Sequence, residues 1–475
     1  MHKLRALLFS NTSTGQTVAK NTFWLFSGEV FGRIIRFAIV IYATRLLGPA
    51  DYGVFAYVMA ISAFLVIFSD IGVSAILTRE AVRNPDDRAK YVASSLALKF
   101  ILIFLNALVL LFVVPLFTRL EGALELLPLV ALVFIFDSLR EFGFGLNRAL
   151  ERMEKEALVK ILMNTAIAVL GLIFLSQAKT PAALLLGYVI GSGIGFLLIF
   201  FFLRNHFKKV FFDIRWRLIL PILRAAVPIG LMGLLTSITL NTDLVMLGSW
   251  RSAEEVGWYA LAQKIILLFY ILPTLLASAV FPALVRLRKS SEEKFAKLLS
   301  RAIATAFMFG LPIAVGGIIL AKPIVAVFGL DFLPATLSLQ ILLISLVVIY
   351  PTTIIVNALV AYDEQKKFLI YVLIGSIGNV IFNVLFIPIW GIEGAALSTL
   401  VNQLIANSFV WFQLKRKSRF NVLRHLWRIV LATIVMGVFA CAMQFIHANL
   451  AISLIGSILV YFGVLFGLRE KLLKP

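Results

Sequence analysis

Apolar residues run along this chain in stretches of about 20 residues or more, and short polar segments separate each stretch from the next. An apolar helix of about 20 residues is long enough to cross the hydrocarbon core of a bilayer. The pattern therefore predicts an all-α polytopic membrane protein with about 14 transmembrane helices. The predicted spans cover residues 21–47, 52–77, 91–117, 124–149, 157–177, 182–203, 219–248, 256–284, 298–321, 335–361, 368–388, 393–414, 429–447 and 450–468.

Composition supports the membrane class and gives the strong positive charge a meaning. Hydrophobic residues make up 61% of the chain and charged residues 14%, whereas soluble proteins are roughly half apolar and a quarter charged. The net charge of +20 comes from basic clusters between the spans, such as "TREAVRNPDDRAK" and "KRKSRFNVLRHLWR". That distribution is a topology signal rather than a nucleic-acid surface. The N-terminus and the even-numbered connections hold most of the basic residues, so both termini are predicted to be cytoplasmic.

Two similar segments indicate an internal repeat. Residues 47–57 read "LGPADYGVFAY" and residues 247–261 read "LGSWRSAEEVGWYAL". Six predicted spans separate them, and an even number gives both units the same orientation in the membrane, related by an axis along the membrane normal. We therefore expect two six-helix lobes in a parallel pseudo-two-fold repeat, followed by two additional helices. The expected domains are residues 1–210, residues 211–414 with an interfacial linker, and residues 415–475.

Two further segments carry structural expectations. The linker "HFKKVFFDIRWRLIL" alternates basic and aromatic residues, which is typical of an amphipathic helix at the membrane surface, although an ordinary cytoplasmic loop also fits. In "GYVIGSGIG", Gly187, Gly191 and Gly195 are spaced by four residues. They share one helix face, where small residues allow close helix packing.

The first predicted span contains charged residues at an unusual depth. Glu29, Arg33 and Arg36 are spaced i, i+4 and i+7, so they share one helix face. A charge near mid-bilayer costs about 2.5–3.5 kcal/mol on insertion scales, and such residues normally face protein or water. We expect this face to line a water-filled cavity, with Arg36 about 22 Å from the cytoplasmic end of the span. The alternative is a Glu29–Arg33 pair with Arg36 reaching back to the membrane surface.

Other charges fall within the spans of the first and second lobes. Asp137, Arg140 and Glu141 share a face of the fourth span, and they either line the same cavity or neutralise one another in a salt-bridge cluster. Lys264 in the eighth span is a further cavity candidate, whereas Lys99 and Arg224 are expected to extend to the membrane surface. Asp70 fits either location. A cavity containing Arg33, Arg36 and Arg140 would attract an anion such as a phosphate, because guanidinium groups match its oxygens.

Three segments resemble a known family. "RLLGPADYGVFAYVMAISAFLVIFSDIGVSAILTREAVR", "LGSWRSAEEVGWYAL" and "PIWGIEGAALSTL" are similar to Wzx-type oligosaccharide flippases of the MOP exporter superfamily. The resemblance extends over nearly the whole chain, and it implies a flippase in the bacterial cytoplasmic (inner) membrane. Its implied substrate is an undecaprenyl-diphosphate-linked oligosaccharide repeat unit, moved by alternating access for O-antigen, capsule or exopolysaccharide assembly. Other membrane proteins of polysaccharide assembly are the implied partners.

The same resemblance implies an ion site. Related lipid II flippases hold a sodium ion in the second lobe, and the residues at matching positions here are Asp243, Asn379, Asn383, Ala395 and Thr399. Asn383 stands where an acid is expected, which leaves one carboxylate. These residues either bind Na⁺ or join helices through hydrogen bonds. Coupling to Na⁺ or H⁺ is the implied energy source, and no cofactor is expected.

Three alternatives remain open from the sequence. A lipid II-type flippase is one alternative from the same superfamily. A MATE-like cation-coupled exporter would need a net acidic cavity, which the arginines disfavour. A membrane polysaccharide polymerase would be an enzyme, and the short outer connections, the six-span duplication and the four scattered histidines disfavour that class.

Overall fold

A computed structural model describes residues 14–207, 213–468, 470 and 472 of the chain. Within these residues the secondary structure is helical throughout, without a β-strand. The chain divides into two compact units, Met1–Glu254 and Glu255–Pro475.

The first unit is built from long helices joined by short turns. Its described helices are α1 (Thr14–Phe68), α2 (Val73–Arg83), α3 (Arg88–Leu108), α4 (Val114–Phe117), α5 (Ala123–Ala149), α6 (Met153–Gln177), α7 (Pro181–Phe207) and α8 (Trp216–Trp250). A π-helical turn, Val109–Val113, joins α3 to α4 in one continuous rod.

The second unit has the same character. Its described helices are α9 (Ala253–Phe269), α10 (Ile271–Ser290), α11 (Glu292–Ile319), α12 (Ala321–Ala326), α13 (Ala335–Ala361), α14 (Gln365–Lys415), α15 (Leu423–Phe445) and α16 (Leu450–Gly467).

Two of the long helices contain a sharp bend that divides each into two arms. Gly48 in α1 has φ 70° and Gly391 in α14 has φ 57°, conformations that residues with a side chain rarely adopt. Pro49 directly follows Gly48, and Pro388 lies three residues before Gly391; each proline weakens the helix there further. The described residues contain 11 helical stretches long and apolar enough to cross a membrane. Each of the two bends divides one stretch into two predicted spans, and α5, which is too highly charged to be counted among the 11, supplies one more. The stretches therefore account for the 14 predicted spans, and the polytopic all-α fold is confirmed.

The boundary between the compact units differs from the predicted domain boundary at 210/211. Helix α8 belongs to the first unit because its N-terminal half packs against the turn that joins α1 to α2. At this turn Ile71 has φ 41°, and a Cβ on Gly230 of α8 would lie 2.5 Å from the Ile71 carbonyl carbon. Ser94 Oγ also accepts a hydrogen bond of 3.0 Å from the Arg215 amide. Residues 208–212, the centre of the predicted interfacial linker, lie outside the described residues.

Glycines set the closest helix contacts of the first unit. A Cβ on Gly187 of α7 would lie 2.8 Å from the Gly171 Cα of α6, and one on Gly191 would lie 2.9 Å from the Ile167 amide nitrogen. Gly195 faces Met163 in the same way. The predicted packing role of the three spaced glycines is therefore confirmed.

The last two helices of the second unit pack against α11. Tyr461 of α16 donates a 2.7 Å hydrogen bond to the Met308 carbonyl oxygen of α11. After α16, Glu470 lies 2.7 Å from His425 Nδ1 and 3.3 Å from Arg428 Nη1, so the C-terminal end is tied back to α15. Burial acts to raise the pKa of Glu470, but hydrogen bonds from His425 and the Leu472 amide, together with the charges of His425 and Arg428, outweigh it, and the pKa lies below its usual value.

Candidate functional site

The charged face of α1 is partly open in the structure. Glu29 Oε1 accepts a 2.8 Å salt bridge from Arg33 Nε, and these side chains are 44% and 43% exposed. Arg36 is also exposed. The predicted spacing therefore places three charged groups in one row, and none of them is sealed in dry packing.

Helix α6 supplies partners for this row. Asn164 Oδ1 accepts two hydrogen bonds from Arg36, 3.0 Å from Nε and 2.7 Å from Nη2. Lys160 Nζ lies 3.4 Å from Glu29 Oε2. Asn164 is itself oriented, because its Nδ2 donates a 2.7 Å hydrogen bond to the Lys160 carbonyl oxygen. The row on α1 is thus one side of a cluster that two helices share.

Small residues bring α1 and α6 close enough for these bonds. A Cβ on Gly28 would lie 2.7 Å from the Ala157 Cα, and one on Gly32 would lie 2.7 Å from Asn164 Nδ2. The two helices run parallel, as successive contacts show: Lys20 with Glu154, Gly28 with Ala157, and Arg36 with Asn164. Arg36 therefore lies level with Asn164, roughly 16 Å from the N-terminal end of α6.

Arg36 differs electrostatically from Arg33. Its hydrogen-bond acceptor is a neutral amide, and within the described residues no carboxylate forms a salt bridge with it. A guanidinium has five N–H donors, so two are fixed by Asn164 and the others remain available. Arg36 is consequently held in place with its positive charge uncompensated at close range.

Arg140 on α5 has a different environment. It is 8% exposed, pairs with Asp137, and lies 3.5 Å from Glu141 Oε1. Its Nη1 also contacts Met163 Sδ at 2.7 Å. This is the self-neutralising salt-bridge cluster that the sequence left open, with the two carboxylates more exposed than the arginine.

Lys99 contradicts its predicted position. It was expected to extend to the membrane surface, but its side chain is 0% exposed and its Nζ lies 2.6 Å from Asp70 Oδ1. Ser74 Oγ donates a second, 2.5 Å hydrogen bond to the same oxygen. The expectation was wrong because depth along a span does not reveal a partner elsewhere in the fold, and the turn between α1 and α2 places the Asp70 carboxylate next to the Lys99 ammonium.

The comparisons with known proteins agree with this architecture. Residues 18–288, more than half of the chain, match the family model described as "Polysaccharide biosynthesis protein", and residues 228–406 match the MatE model. The chain belongs to the polysaccharide biosynthesis protein family. These matches confirm the resemblance to Wzx-type flippases of the MOP exporter superfamily that the sequence motifs indicated.

Similar proteins extend the comparison. The chain is 29% identical to "Probable flippase AglR" of Haloferax volcanii, over 35% of the chain and 36% of that protein. It is 22% identical to "Probable low-salt glycan biosynthesis flippase Agl15" of the same organism, over 95% of the chain and 94% of that protein. Among solved structures, lipid II flippase MurJ in an inward closed conformation has the same fold, with a TM-score of 0.77 and 21% identity over 94% of the chain and 99% of MurJ.

The sequence interpretation missed the contribution of α6. Glu156, Lys160 and Asn164 are spaced by four residues, which places three polar groups on one face of the fifth span. Glu156 is 0% exposed and accepts hydrogen bonds of 2.9 and 2.6 Å from Arg148. Lys160 Nζ lies 3.1 Å from Glu156 Oε1. The i, i+4, i+8 spacing was a usable signal, of the same kind that identified the row on α1.

The remaining predicted site residues lie in both units. Lys264 is an exposed residue of α9 in the second unit. Of the sodium candidates, Asp243 is buried in α8, whereas Asn379, Asn383, Ala395 and Thr399 lie on α14.

Hydrogen bonds occur at the sodium candidates on α14. Asn383 Nδ2 donates to Asn379 Oδ1 at 3.2 Å within the first arm, and Ser398 Oγ of the second arm donates to the Asn379 carbonyl oxygen at 3.3 Å. Among the described residues, no group of three or more His, Cys, Asp or Glu side chains is placed to hold a metal ion.

Proposed function

We propose that this protein is a flippase that moves an undecaprenyl-diphosphate-linked oligosaccharide repeat unit across the cytoplasmic membrane by alternating access, for cell-surface polysaccharide assembly. The family membership supports the polysaccharide pathway, and the names of AglR and Agl15 support flipping as the reaction class. The observation that carries the proposal is Arg36, an exposed guanidinium fixed by a neutral amide within a membrane-spanning helix.

The physical reason is the chemistry of the cargo headgroup. A diphosphate is anionic and rich in acceptors, and guanidinium groups bind its oxygens with charge-assisted, bidentate hydrogen bonds. Arg36 would provide the principal contact and Arg33 the second, while the polyprenyl tail stays in the lipid. Asp137 and Glu141 would hold Arg140, which keeps α5 in register, and Glu29 would ease release of the cargo.

Coupling to an ion is a separate part of the proposal. Asp243, Asn379, Asn383, Ala395 and Thr399 carry oxygen atoms, in side chains or backbone carbonyls, of the kind that Na⁺ prefers. With one carboxylate the site would bind weakly. If transport is unchanged when Na⁺ is replaced by K⁺, Na⁺ coupling is contradicted. Transport would then be coupled to H⁺ or to no ion.

Location and topology belong to the same proposal. A flippase of this class would lie in the bacterial inner membrane with both termini in the cytoplasm, as the basic connections predict. Reporter fusions at the two termini would test this orientation directly.

The function is tested in inside-out vesicles that contain the protein and a lipid-linked oligosaccharide. Movement is followed as protection of the saccharide from a glycosidase added outside. Arg36→Ala should abolish movement with the protein still inserted, since the principal anion contact is lost. Arg224→Ala is a matched control, because Arg224 is an exposed arginine of the same unit that lies outside the cluster. Undiminished movement by Arg36→Ala would contradict the proposal, and sugar polymerisation without movement would favour a polymerase.

A further inference from the structure

We propose that Glu29 is an internal counter-ion that occupies the anion position between Arg33 and Lys160, and that the diphosphate of the cargo displaces it. This inference rests on the proposed function and adds Lys160 as a third cation of the site. It identifies Glu29 as the residue that sets the balance between binding and release.

The first step of the argument is the geometry of the carboxylate. Its two oxygens face cations on two different helices, Oε1 at 2.8 Å from Arg33 Nε on α1 and Oε2 at 3.4 Å from Lys160 Nζ on α6. A carboxylate held between a guanidinium and an ammonium group has the position and charge sign of a phosphate group bound by the same pair. Glu29 is 44% exposed, so an incoming anion can reach the cations from the same side.

The second step is that Lys160 stays in place when Glu29 leaves. Its Nζ also lies 3.1 Å from Glu156 Oε1, and Glu156 is buried and bound by Arg148 through two hydrogen bonds. The Lys160 ammonium further lies 5.6 Å from the centre of the Phe144 ring. These contacts hold the cation independently of Glu29, so displacing the carboxylate exposes a preorganised group.

The third step is the charge balance. Glu29 carries one negative charge, whereas a diphosphate carries at least two and has more acceptor oxygens. The diphosphate therefore competes well for Arg33 and Lys160, and it gains Arg36, which no described carboxylate pairs with. A returning Glu29 carboxylate in turn weakens the hold on the cargo, which favours release on the far side.

A purely structural role for Glu29, in which it only joins α1 to α6, predicts different behaviour. If the role is structural, removing the Glu29 carboxylate would loosen the site and weaken anion binding. If Glu29 competes with the anion, removing its carboxylate would strengthen anion binding. The direction of the affinity change therefore separates the two roles.

The test is calorimetric titration of the detergent-solubilised full chain with farnesyl diphosphate as the probe. Glu29→Gln keeps the side-chain shape and removes the charge, and it should bind the probe about three- to tenfold more tightly, because a weak exposed ion pair no longer competes. Lys160→Gln should bind it more weakly by a similar factor. Glu29→Gln should also slow saccharide movement in vesicles, since release is impaired.

Each outcome has a defined meaning. Unchanged or weaker binding by Glu29→Gln overturns the counter-ion role, and Glu29→Ala repeats the comparison if the glutamine variant is unstable. Unchanged binding by Lys160→Gln removes Lys160 from the site and also overturns the inference. If the unaltered chain does not bind farnesyl diphosphate at all, the anion site of the proposed function fails, and this inference fails with it.

Discussion

Two groups of charges lie within the first unit, and they behave in opposite ways. The group between α1 and α6 is partly exposed, and its arginine at position 36 is held by an amide. The group on α3 and α5 is more enclosed, with Lys99 at 0% and Arg140 at 8% exposure, and each cation has its own carboxylate. The same residue types thus form internal ion pairs in one place and, under the proposed function, a binding surface in the other.

The difference arises from the distribution of counter-charges. Taking a charge out of water is costly unless a partner compensates it, so buried cations need dedicated carboxylates. A cation that remains accessible to water can be left uncompensated and can bind a transient anion. Changes to the two groups should therefore affect different measurements, folding for one and ligand binding for the other.

The largest effect is expected from breaking the buried pair. Asp70→Asn leaves Lys99 without its carboxylate, and removing one partner of a buried ion pair costs about 3–5 kcal/mol. The unfolding temperature in detergent should fall strongly. The double variant Asp70→Asn with Lys99→Met, which removes both charges, should recover part of the loss. A small effect of Asp70→Asn would contradict the structural role of this group.

A smaller effect is expected from separating α1 and α6. Gly28→Val places a side chain where a Cβ would already lie 2.7 Å from the Ala157 Cα, and overpacking of this kind costs about 1–3 kcal/mol. The shift should also separate Arg36 from Asn164, so saccharide movement should fall with stability. Gly463→Ala is the control, because a Cβ there meets nothing within 4 Å. Full movement by Gly28→Val would show that the contact between the helices does not position the site.

The third change gives the exposed group between α1 and α6 a neutralising carboxylate, as the buried group already has. Asn164→Asp gives Arg36 a carboxylate partner of nearly unchanged shape. Stability should be maintained, whereas farnesyl diphosphate should bind about tenfold more weakly, equivalent to about 1.4 kcal/mol. Calorimetry and thermal unfolding of the same sample check both statements. Unaltered binding would mean that the free charge of Arg36 is not what attracts the anion.

The smallest effect is expected at an exposed ion pair of the second unit. Hydrogen bonds from Lys417 and Lys367 hold the pKa of Glu364 below its usual value. A lowered carboxylate pKa stabilises the fold above the usual pKa, and this contribution is lost as pH falls through the lowered value. Because Glu364 lies at the surface and remains partly exposed, solvent screens its ion pairs, and Glu364→Gln should leave the unfolding temperature nearly unchanged at pH 7. A marked decrease would contradict this assignment.

The sequence predicted the fold and half of the candidate site. Apolar length placed the spans, and the spacing of Glu29, Arg33 and Arg36 placed one charged row. The pairing of Arg36 with Asn164 joins residues far apart in the chain, and it depends on which helices pack together and in what register. Spacing within one span carries no such information. The error at Lys99 has the same origin, since its partner Asp70 lies outside α3, in the turn that joins α1 to α2.

The central claim is that the Arg36 face of α1 is open to water while the opposite face of the same helix, where Ile34 lies, meets lipid. It is tested by single cysteines in a Cys441→Ser background, treated in inside-out vesicles with a sulfonated thiol reagent that does not cross membranes. Both Arg36 and Ile34 are exposed on α1, so exposure alone does not distinguish them. The account predicts that Arg36→Cys is modified and that Ile34→Cys is not. Resistance of Arg36→Cys, or equal modification of both, would contradict it.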